Sequence, residues 1–501
     1  MKRFTILATF IVASLFWGCS EISELNNGTQ PEINPKALTG QEINAIIRET
    51  LEKEGDFNWN KVDAHVLWSA VVNGNNVLTI GYSDEPFTEA NPKKAEDIKN
   101  ELVLLITKLE KNSSSAKQES ESILISSAKK LNFIDVYVTE LETIKKLRTN
   151  PNIRYMEPSG YSYFAYETMV KSDSGCNTDP ETINSGDYTN ASPGCQISWT
   201  FYKHNIPSAW SYSSGSGITV GLIDTGVSGE QSLLGSNFNN GYSAGRTIQK
   251  YGVYVNSIWP WSTKTDGPND KCGHGTLMGA TLAAPRNNRN LPVGVAYNCN
   301  LIAYRATGDV VLDGYHEQRG VSRALTELAN RNEVKVISMS IGHIFTVNSI
   351  KDAVQYAYSK GKMIVAAGGT STSFTNWAGV IFPANMDETV AATGITDGAG
   401  YTECDVCHKG SKIDFTVIMQ RASDPNRRTV CNGFYENTRN YVGGSSVATA
   451  TTAGIAALIW SKNPTWTRAQ VYEKMKQSAS LYPNRNEDFG WGSIDALAAV
   501  Q

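Results

Sequence analysis

Beyond its first twenty residues the chain lacks any apolar run long enough to cross a bilayer, which takes about 20 residues as a helix. It also lacks an excess of basic charge: 45 Lys and Arg against 49 Asp and Glu give a net charge of −4. The positive field that supplies nonspecific nucleic-acid affinity is therefore missing, and a nucleic-acid partner is not expected. Charged residues make up only 19% against 41% hydrophobic, with 17 Pro and 42 Gly, which argues against a disordered or collagen-like chain. No internal repeat is evident. At about 150 residues per domain, 501 residues leave room for one large core and a smaller module.

The first residues read as an export signal. Lys2 and Arg3 precede an apolar run from Phe4 to Trp17 that is too short to span. The run ends in Phe16-Trp17-Gly18-Cys19, which resembles a bacterial lipoprotein box, with Cys19 as the lipidated residue and bulky Phe16 and Trp17 departing from the usual pattern. The expectation is an exported protein anchored to a membrane by lipid on the outer-membrane, periplasmic or cell-surface side, with release of the mature domain as an option. Eight cysteines occur, so seven remain after Cys19 and one thiol is left over from pairing. Proximity along the chain suggests Cys176 with Cys195 and Cys272 with Cys299. Cys404-Asp-Val-Cys407-His408 also fits a c-type haem attachment pattern, and with Cys431 a zinc site. Its polar flanks favour a disulfide-bearing surface loop.

Residues 20–59 read as a polar tether followed by a short helix. Thr39 and Glu42 have capping-box spacing, and Ile43, Ile46, Ile47 and Leu51 share one helical face. Residues 60–160 read as a small α/β module. Apolar stretches at 65–72 and 77–82 flank Asn73-Gly74, a hairpin signal. A helix is predicted over 93–109, strands near 123–125 and over 133–138, a second helix capped by Thr139 and ending near Asn150, and a last strand over 153–157. Residues 161–200 read as a linker suited to proteolytic release. From 201 to 501, buried-strand runs at 218–223, 301–304, 334–339, 363–367 and 389–393 alternate with helical stretches at 321–330, 349–360, 446–460 and 467–478. That alternation predicts a mostly parallel sheet flanked by helices.

Three places carry chemistry. The strand 218–223 runs into Asp224-Thr225-Gly226, which puts a carboxylate at the C-terminal end of a strand, where open α/β sheets bind ligands. Asp-Thr-Gly also marks aspartic proteases, but those share a proton between two carboxylates, and one copy is present. Among six histidines, His274 stands out, flanked by Gly273 and Gly275 at a helix start with small residues behind it, a rigid place from which to aim a base. In Gly443-Gly444-Ser445-Ser446-Val447-Ala448, glycines precede a serine at a helix N-terminus, whose free N–H groups favour a developing oxyanion. Val447 and Ala448 keep either serine from fitting the G-x-S-x-G elbow of α/β-hydrolases.

The order Asp224, His274, Ser446 is that of subtilisin-like serine proteases, and Asp224-Thr225-Gly226, His274-Gly275-Thr276 and Gly444-Ser445-Ser446-Val447-Ala448 resemble that family's motifs, with Ser for Thr and Val for Met in the last. The β-α-β-β-α-β module closing on Asn150-Pro151 to Glu157-Pro158 resembles its propeptide. The resemblance implies a subtilisin-like α/β fold preceded by a ferredoxin-like propeptide domain. It implies a serine endopeptidase, made as an inhibited precursor, with Asp224, His274 and Ser446 as triad and with its own propeptide and peptide or protein substrates as partners. Residues Ser338, Ser340 and Gly342 would pair with an extended substrate. Structural calcium is common in the family, and Asn287-Asn288 before Gly294 is the candidate loop; no catalytic metal or other cofactor is implied. One departure stands out: the family's oxyanion Asn is replaced by Gly369. A hydroxyl or amide from Thr370, Ser371, Thr372 or Asn376 is expected to substitute. The competing expectation, favoured by Gly369 alone, is a weak or inactive relative that binds peptides at a surface.

Overall fold

The computed structural model describes residues 34–111, 123–167, 175–370 and 379–501. Two compact units divide the chain, Met1–Pro35 and Lys36–Gln501, and the described helices and strands lie in the second. Cys19 and most of the expected tether lie outside the described residues, as do Ser371, Thr372 and Asn376.

The helix Gly40–Glu54 starts with the expected capping box, Glu42 N–H donating to Thr39 Oγ1 at 3.3 Å and the Glu42 carboxylate receiving Thr39 N–H at 2.7 Å. It buries Ile43, Ile47 and Leu51. The expected hairpin around Asn73-Gly74 is instead a helix, Ala64–Asn73, followed by the strand Val77–Tyr82. Two features explain the difference. Asp63 caps the helix start by accepting His65 N–H at 2.8 Å, and Val66 through Val71 are all buried. A helix buried nearly all round has no periodicity to distinguish it from a buried strand. The chain leaves it through Asn75 and Asn76, both left-handed at φ 57° and 61°, a conformation asparagine tolerates better than most residues.

Pro92–Lys111, Leu124–Ser127, Phe133–Tyr137, Leu141–Arg148 and Ile153–Glu157 complete the module. Thr139 does not cap the helix Leu141–Arg148; its hydroxyl donates to the Glu110 carboxylate at 2.7 Å. The four strands form an antiparallel sheet in the order Leu124–Ser127, Phe133–Tyr137, Val77–Tyr82, Ile153–Glu157. That is the split β-α-β arrangement expected of a ferredoxin-like domain.

The large sheet among the described residues has nine strands. Seven run parallel in the order Ile248–Gly252, Asn300–Arg305, Thr219–Asp224, Val334–Met339, Met363–Ala367, Thr389–Thr396, Phe415–Arg421. Asp424–Asn432 and Arg439–Val442 then add antiparallel at the edge. His274–Ala283 and Gly444–Lys462 pack on one face, with Met278, Ile455 and Leu458 in the core. Tyr315–Ala329 and Asn348–Ser359 cover the other, burying Leu325, Leu328 and Val354. From Thr219–Asp224 the chain first builds strands on one side and later returns to build the other. The strand order therefore reverses between Thr219–Asp224 and Val334–Met339, the point where such sheets open a crevice at their C-terminal ends.

The small sheet docks on the helices Tyr315–Ala329 and Asn348–Ser359. Buried Glu157 accepts Asn348 N–H at 2.8 Å and Ser349 N–H at 3.1 Å, so a carboxylate of one module caps a helix of the other. Arg154 grips Asp352 with two bonds at 2.7 and 3.1 Å, joined by the Tyr155 hydroxyl at 3.0 Å. Phe345 of the large body sits among Phe57, Trp59 and Tyr163, with ring centroids 5.2 to 6.3 Å apart.

The expected pairing of cysteines is corrected. Cys176 bonds Cys272, and Cys404 bonds Cys407, while Cys195, Cys299 and Cys431 are free and buried. Cys195 and Cys299 both lie in the main core, where the fold separates each from its sequence neighbour. The 404–407 loop carries the expected disulfide, but both cysteines are buried rather than on the surface. The later part of the expected linker is packed: Tyr188–Ala191 and Cys195–Ser198 pair as a hairpin. Fully buried Asp187 beside them is held by Arg421, Arg427 and Tyr441.

Candidate active site

Asp224 ends a strand flanked on both sides by parallel neighbours, so its side chain is fixed in the crevice and fully buried. Its Oδ1 receives Thr225 N–H at 2.8 Å and lies 2.8 Å from His274 Nδ1. Its Oδ2 has no hydrogen-bond partner among the described residues. His274 opens the helix His274–Ala283. Gly275 lets that helix approach, since a Cβ there would lie 2.2 Å from Gly226 O and 3.1 Å from Asp224 Oδ1.

One organiser escaped the sequence reading. The Asp270 carboxylate receives the N–H groups of Cys272 and Gly273 at 2.9 Å and of Thr276 at 3.0 Å. It also receives the hydroxyls of Thr225 and Thr276, at 2.9 and 2.7 Å. Thr225 Oγ1 in turn accepts Gly275 N–H at 2.9 Å. One buried carboxylate thus ties the loop after Asp224 to the start of the His274 helix. The available signal was an acidic residue just ahead of a helix start.

Burial opposes a charge on His274, but the charge and hydrogen bond of Asp224, with Asp270 and Asp309 farther off, outweigh it, so the imidazole pKa is raised above 6.5.

Ser446 lies in the first turn of Gly444–Lys462. It is half-buried and lines, with His274, a cleft of about 470 Å³. Ser445 is fully engaged instead: it is buried, its hydroxyl receives Gly369 N–H at 3.2 Å, and it meets Thr370 Oγ1 at 3.1 Å. Ser340 Oγ donates to Ser446 O at 3.0 Å, bracing the helix start. Gly369 has φ +127°, and a Cβ there would lie 2.3 Å from His408 Nδ1, so the backbone itself requires glycine where the family places asparagine. Thr370 lines the cleft next to Gly444 and Ser445.

Ser338 is not a substrate contact. It lies within Val334–Met339, paired on one side with Leu222 and on the other with Val365, and is fully buried. Gly342 is at the cleft, but its N–H donates to Val310 O at 3.1 Å and its carbonyl accepts Leu312 N–H at 3.0 Å. Its backbone edge is thus already paired within the protein. Ile381 also lines the cleft, its N–H bonded to Gly368 O at 3.0 Å and its side chain 2.7 Å from where a Gly342 Cβ would stand.

The loop considered for calcium is closed on itself by hydrogen bonds. Asn287 Nδ2 donates to the carbonyls of Pro285 and Leu291, at 3.1 and 3.0 Å, and Oδ1 accepts Arg289 N–H at 3.0 Å.

The family model of the subtilase family, Peptidase S8, matches residues 215–492. Subtilisin DY of Bacillus licheniformis is 30% identical over 293 residues, covering 57% of this chain and 92% of the relative. Subtilisin BL of Lederbergia lenta is 28% identical over 306 residues, covering 61% of this chain and 99% of the relative. Among solved structures, fervidolysin of Fervidobacterium pennivorans, described as a keratinolytic enzyme related to subtilisin, aligns with a TM-score of 0.59 at 19% identity. That alignment covers 85% of this chain and 61% of fervidolysin, a likeness of fold.

Proposed function

From the premise that this chain belongs to the subtilase family and is a subtilisin-like serine endopeptidase, we propose that Asp224, His274 and Ser446 are its catalytic triad. The observation that carries this reading is the 2.8 Å contact between Asp224 Oδ1 and His274 Nδ1 at the head of a cleft that Ser446 also lines. Asp224 holds the proton on Nδ1, which leaves Nε2 as the base. His274 takes the Ser446 hydroxyl proton as the oxygen attacks the scissile carbonyl, and passes it to the leaving amine. An acyl-enzyme remains, which water hydrolyses by the same route in reverse. The first-turn N–H groups of Gly444–Lys462 and the Thr370 hydroxyl stabilise the tetrahedral oxyanion, Thr370 standing in for the asparagine that Gly369 displaces.

The N-terminal module acts in this reading as an inhibitory propeptide. Its support is the buried Glu157 cap and the Arg154–Asp352 pair. The segment after it leads towards the cleft: Tyr163 and Phe164 N–H groups donate to Asp313 at 2.8 Å, and Phe164 lines the same cleft as His274. Export and a lipid anchor at Cys19 rest on the sequence alone.

The test compares the purified precursor with its Ser446→Ala variant, incubated separately. The wild type is expected to hydrolyse casein and to cut itself within residues 158–200, and the variant to do neither. Equal processing of both, or of neither, overturns autocatalysis.

A further inference from the structure

Cys176 lies 96 residues before its partner Cys272, and Cys272 stands two residues ahead of His274. The bridge therefore ties the segment downstream of the N-terminal module to the root of the proposed base. Cys272 belongs to the scaffold that aims the imidazole, because its N–H and that of Gly273 donate to the same Asp270 oxygen, each at 2.9 Å. The two backbones meet on both sides of the bridge. A Cβ at Gly175 would stand 2.8 Å from Val310 Cγ1 and 3.4 Å from His274 Cδ2, and one at Gly273 would stand 2.1 Å from Asn177 O. Gly175 and Asn177 line the cleft together with His274, Val310 and Ser446.

Resting on the peptidase reading of this cleft, we propose that residues 175–177, held by the Cys176–Cys272 disulfide, form a covalently clamped wall of the substrate cleft and position an extended peptide against His274. The contacts carry it beyond a general stabilising role. The clamped backbone is packed so close that a Cβ at Gly175 would meet both Val310 and the imidazole edge, and Val310 O in turn accepts Gly342 N–H at 3.1 Å. Displacing residues 175–177 opens that side of the cleft without touching Asp224, Asp270 or Ser446. A second consequence concerns processing. Cleavage on the N-terminal side of Cys176 frees the N-terminal module and leaves this wall in place. Cleavage on the C-terminal side leaves the module joined to the enzyme through the bridge.

The experiment treats the mature wild-type enzyme with dithiothreitol, which supplies two electrons and two protons to the disulfide and closes to its own cyclic disulfide. Kinetics are followed on an extended peptide and on a single-residue ester, for the wild type and for Cys176→Ser. Reduction is expected to raise KM for the peptide about tenfold while kcat and ester hydrolysis stay within about twofold, the pattern of lost substrate binding. Cys176→Ser should match the reduced wild type and show no further response to reductant. A response that persists in Cys176→Ser assigns the effect to Cys404–Cys407 and overturns the proposal, as does unchanged KM. The mature N-terminus, read by mass spectrometry, is expected to precede Cys176; one beyond it also overturns the proposal. If the wild type hydrolyses nothing, the triad assignment fails separately. The clamp is then judged by hydrogen exchange at residues 175–178, which must rise on reduction; unchanged exchange ends it.

Discussion

His274 and Asp224, 50 residues apart in sequence, meet Nδ1 to Oδ1 at 2.8 Å in a buried contact. Both side chains are held from behind, Asp224 by the strands on either side of it and His274 by the Asp270 network at its helix start. The imidazole has one orientation available, which is what a base requires before substrate arrives.

Triad variants should separate by role. Ser446→Ala and His274→Ala are each expected to lower kcat by about 10⁶, and Asp224→Asn by about 10⁴, since the last leaves the groups in place but with the wrong tautomer. Steady-state hydrolysis of a chromogenic peptide checks this, with circular dichroism to show that each variant is folded.

The acid limb of activity should lie above the ordinary imidazole value. Burial pulls the His274 pKa down, but Asp224, Asp270 and Asp309 raise it above 6.5 overall. Catalysis needs the neutral ring, so kcat/KM should fall as pH drops through that raised value. Stability has the opposite sign: the pairing of charged His274 contributes fully below the unfolded pKa and is lost as pH rises through the folded one. Asp309→Asn removes one negative charge and should move the kcat/KM limb to lower pH.

Thr370→Val should lower kcat by about 10², the scale of one lost oxyanion donor, while Thr370→Ser stays within a few-fold. Gly369→Asn, which restores the family residue, should not raise activity. At φ +127° and with His408 in the way, it should cost about 1–3 kcal/mol in stability, read as a lower Tm.

Docking of the N-terminal module should depend on two side chains. In a Ser446→Ala precursor, Glu157→Ala leaves Asn348 and Ser349 N–H groups without their cap and should cost about 1–2 kcal/mol. Arg154→Ala strands Asp352, only 4% exposed in its side chain, and should cost about 3–5 kcal/mol. Amide hydrogen exchange across Val77–Tyr82 measures both as a loss of protection.

The buried thiols should be inert. Burial pushes the Cys299 thiol up to about 12 and raises Cys195 and Cys431 as well, so the reactive thiolate is scarce. Among the described cysteines, none should react with a thiol reagent in the native protein, and three should do so once it is unfolded without reductant.

Much of this was legible in local pattern. The strands Val334–Met339 and Met363–Ala367 stand where their apolar runs predict them, and the capping box at Thr39 marks a helix start. The three motif residues of the proposed triad were also legible, because each sits in a short glycine-rich signature. Where the local pattern was degenerate it misled: residues 66–72 are apolar except for Ser69, which suits a buried helix as well as a strand.

What the chain order could not carry was everything that depends on which segments become neighbours. Asp270 has no motif, and its role exists because a carboxylate meets five donors from the loop after Asp224, the loop before His274 and the start of the His274 helix. Ser338 and Ser340 are two residues apart, yet one is sealed between strands and the other braces Ser446, since alternate strand residues share a face only until the strand ends. Cys176 joins Cys272 rather than the nearer Cys195 because packing the sheet places Cys195 in the core and residue 176 beside the His274 helix. Residue type and spacing determined the chemistry on offer; only tertiary contacts decided which groups are pinned, which are buried and which face the cleft, because burial and hydrogen bonding act on neighbours in space.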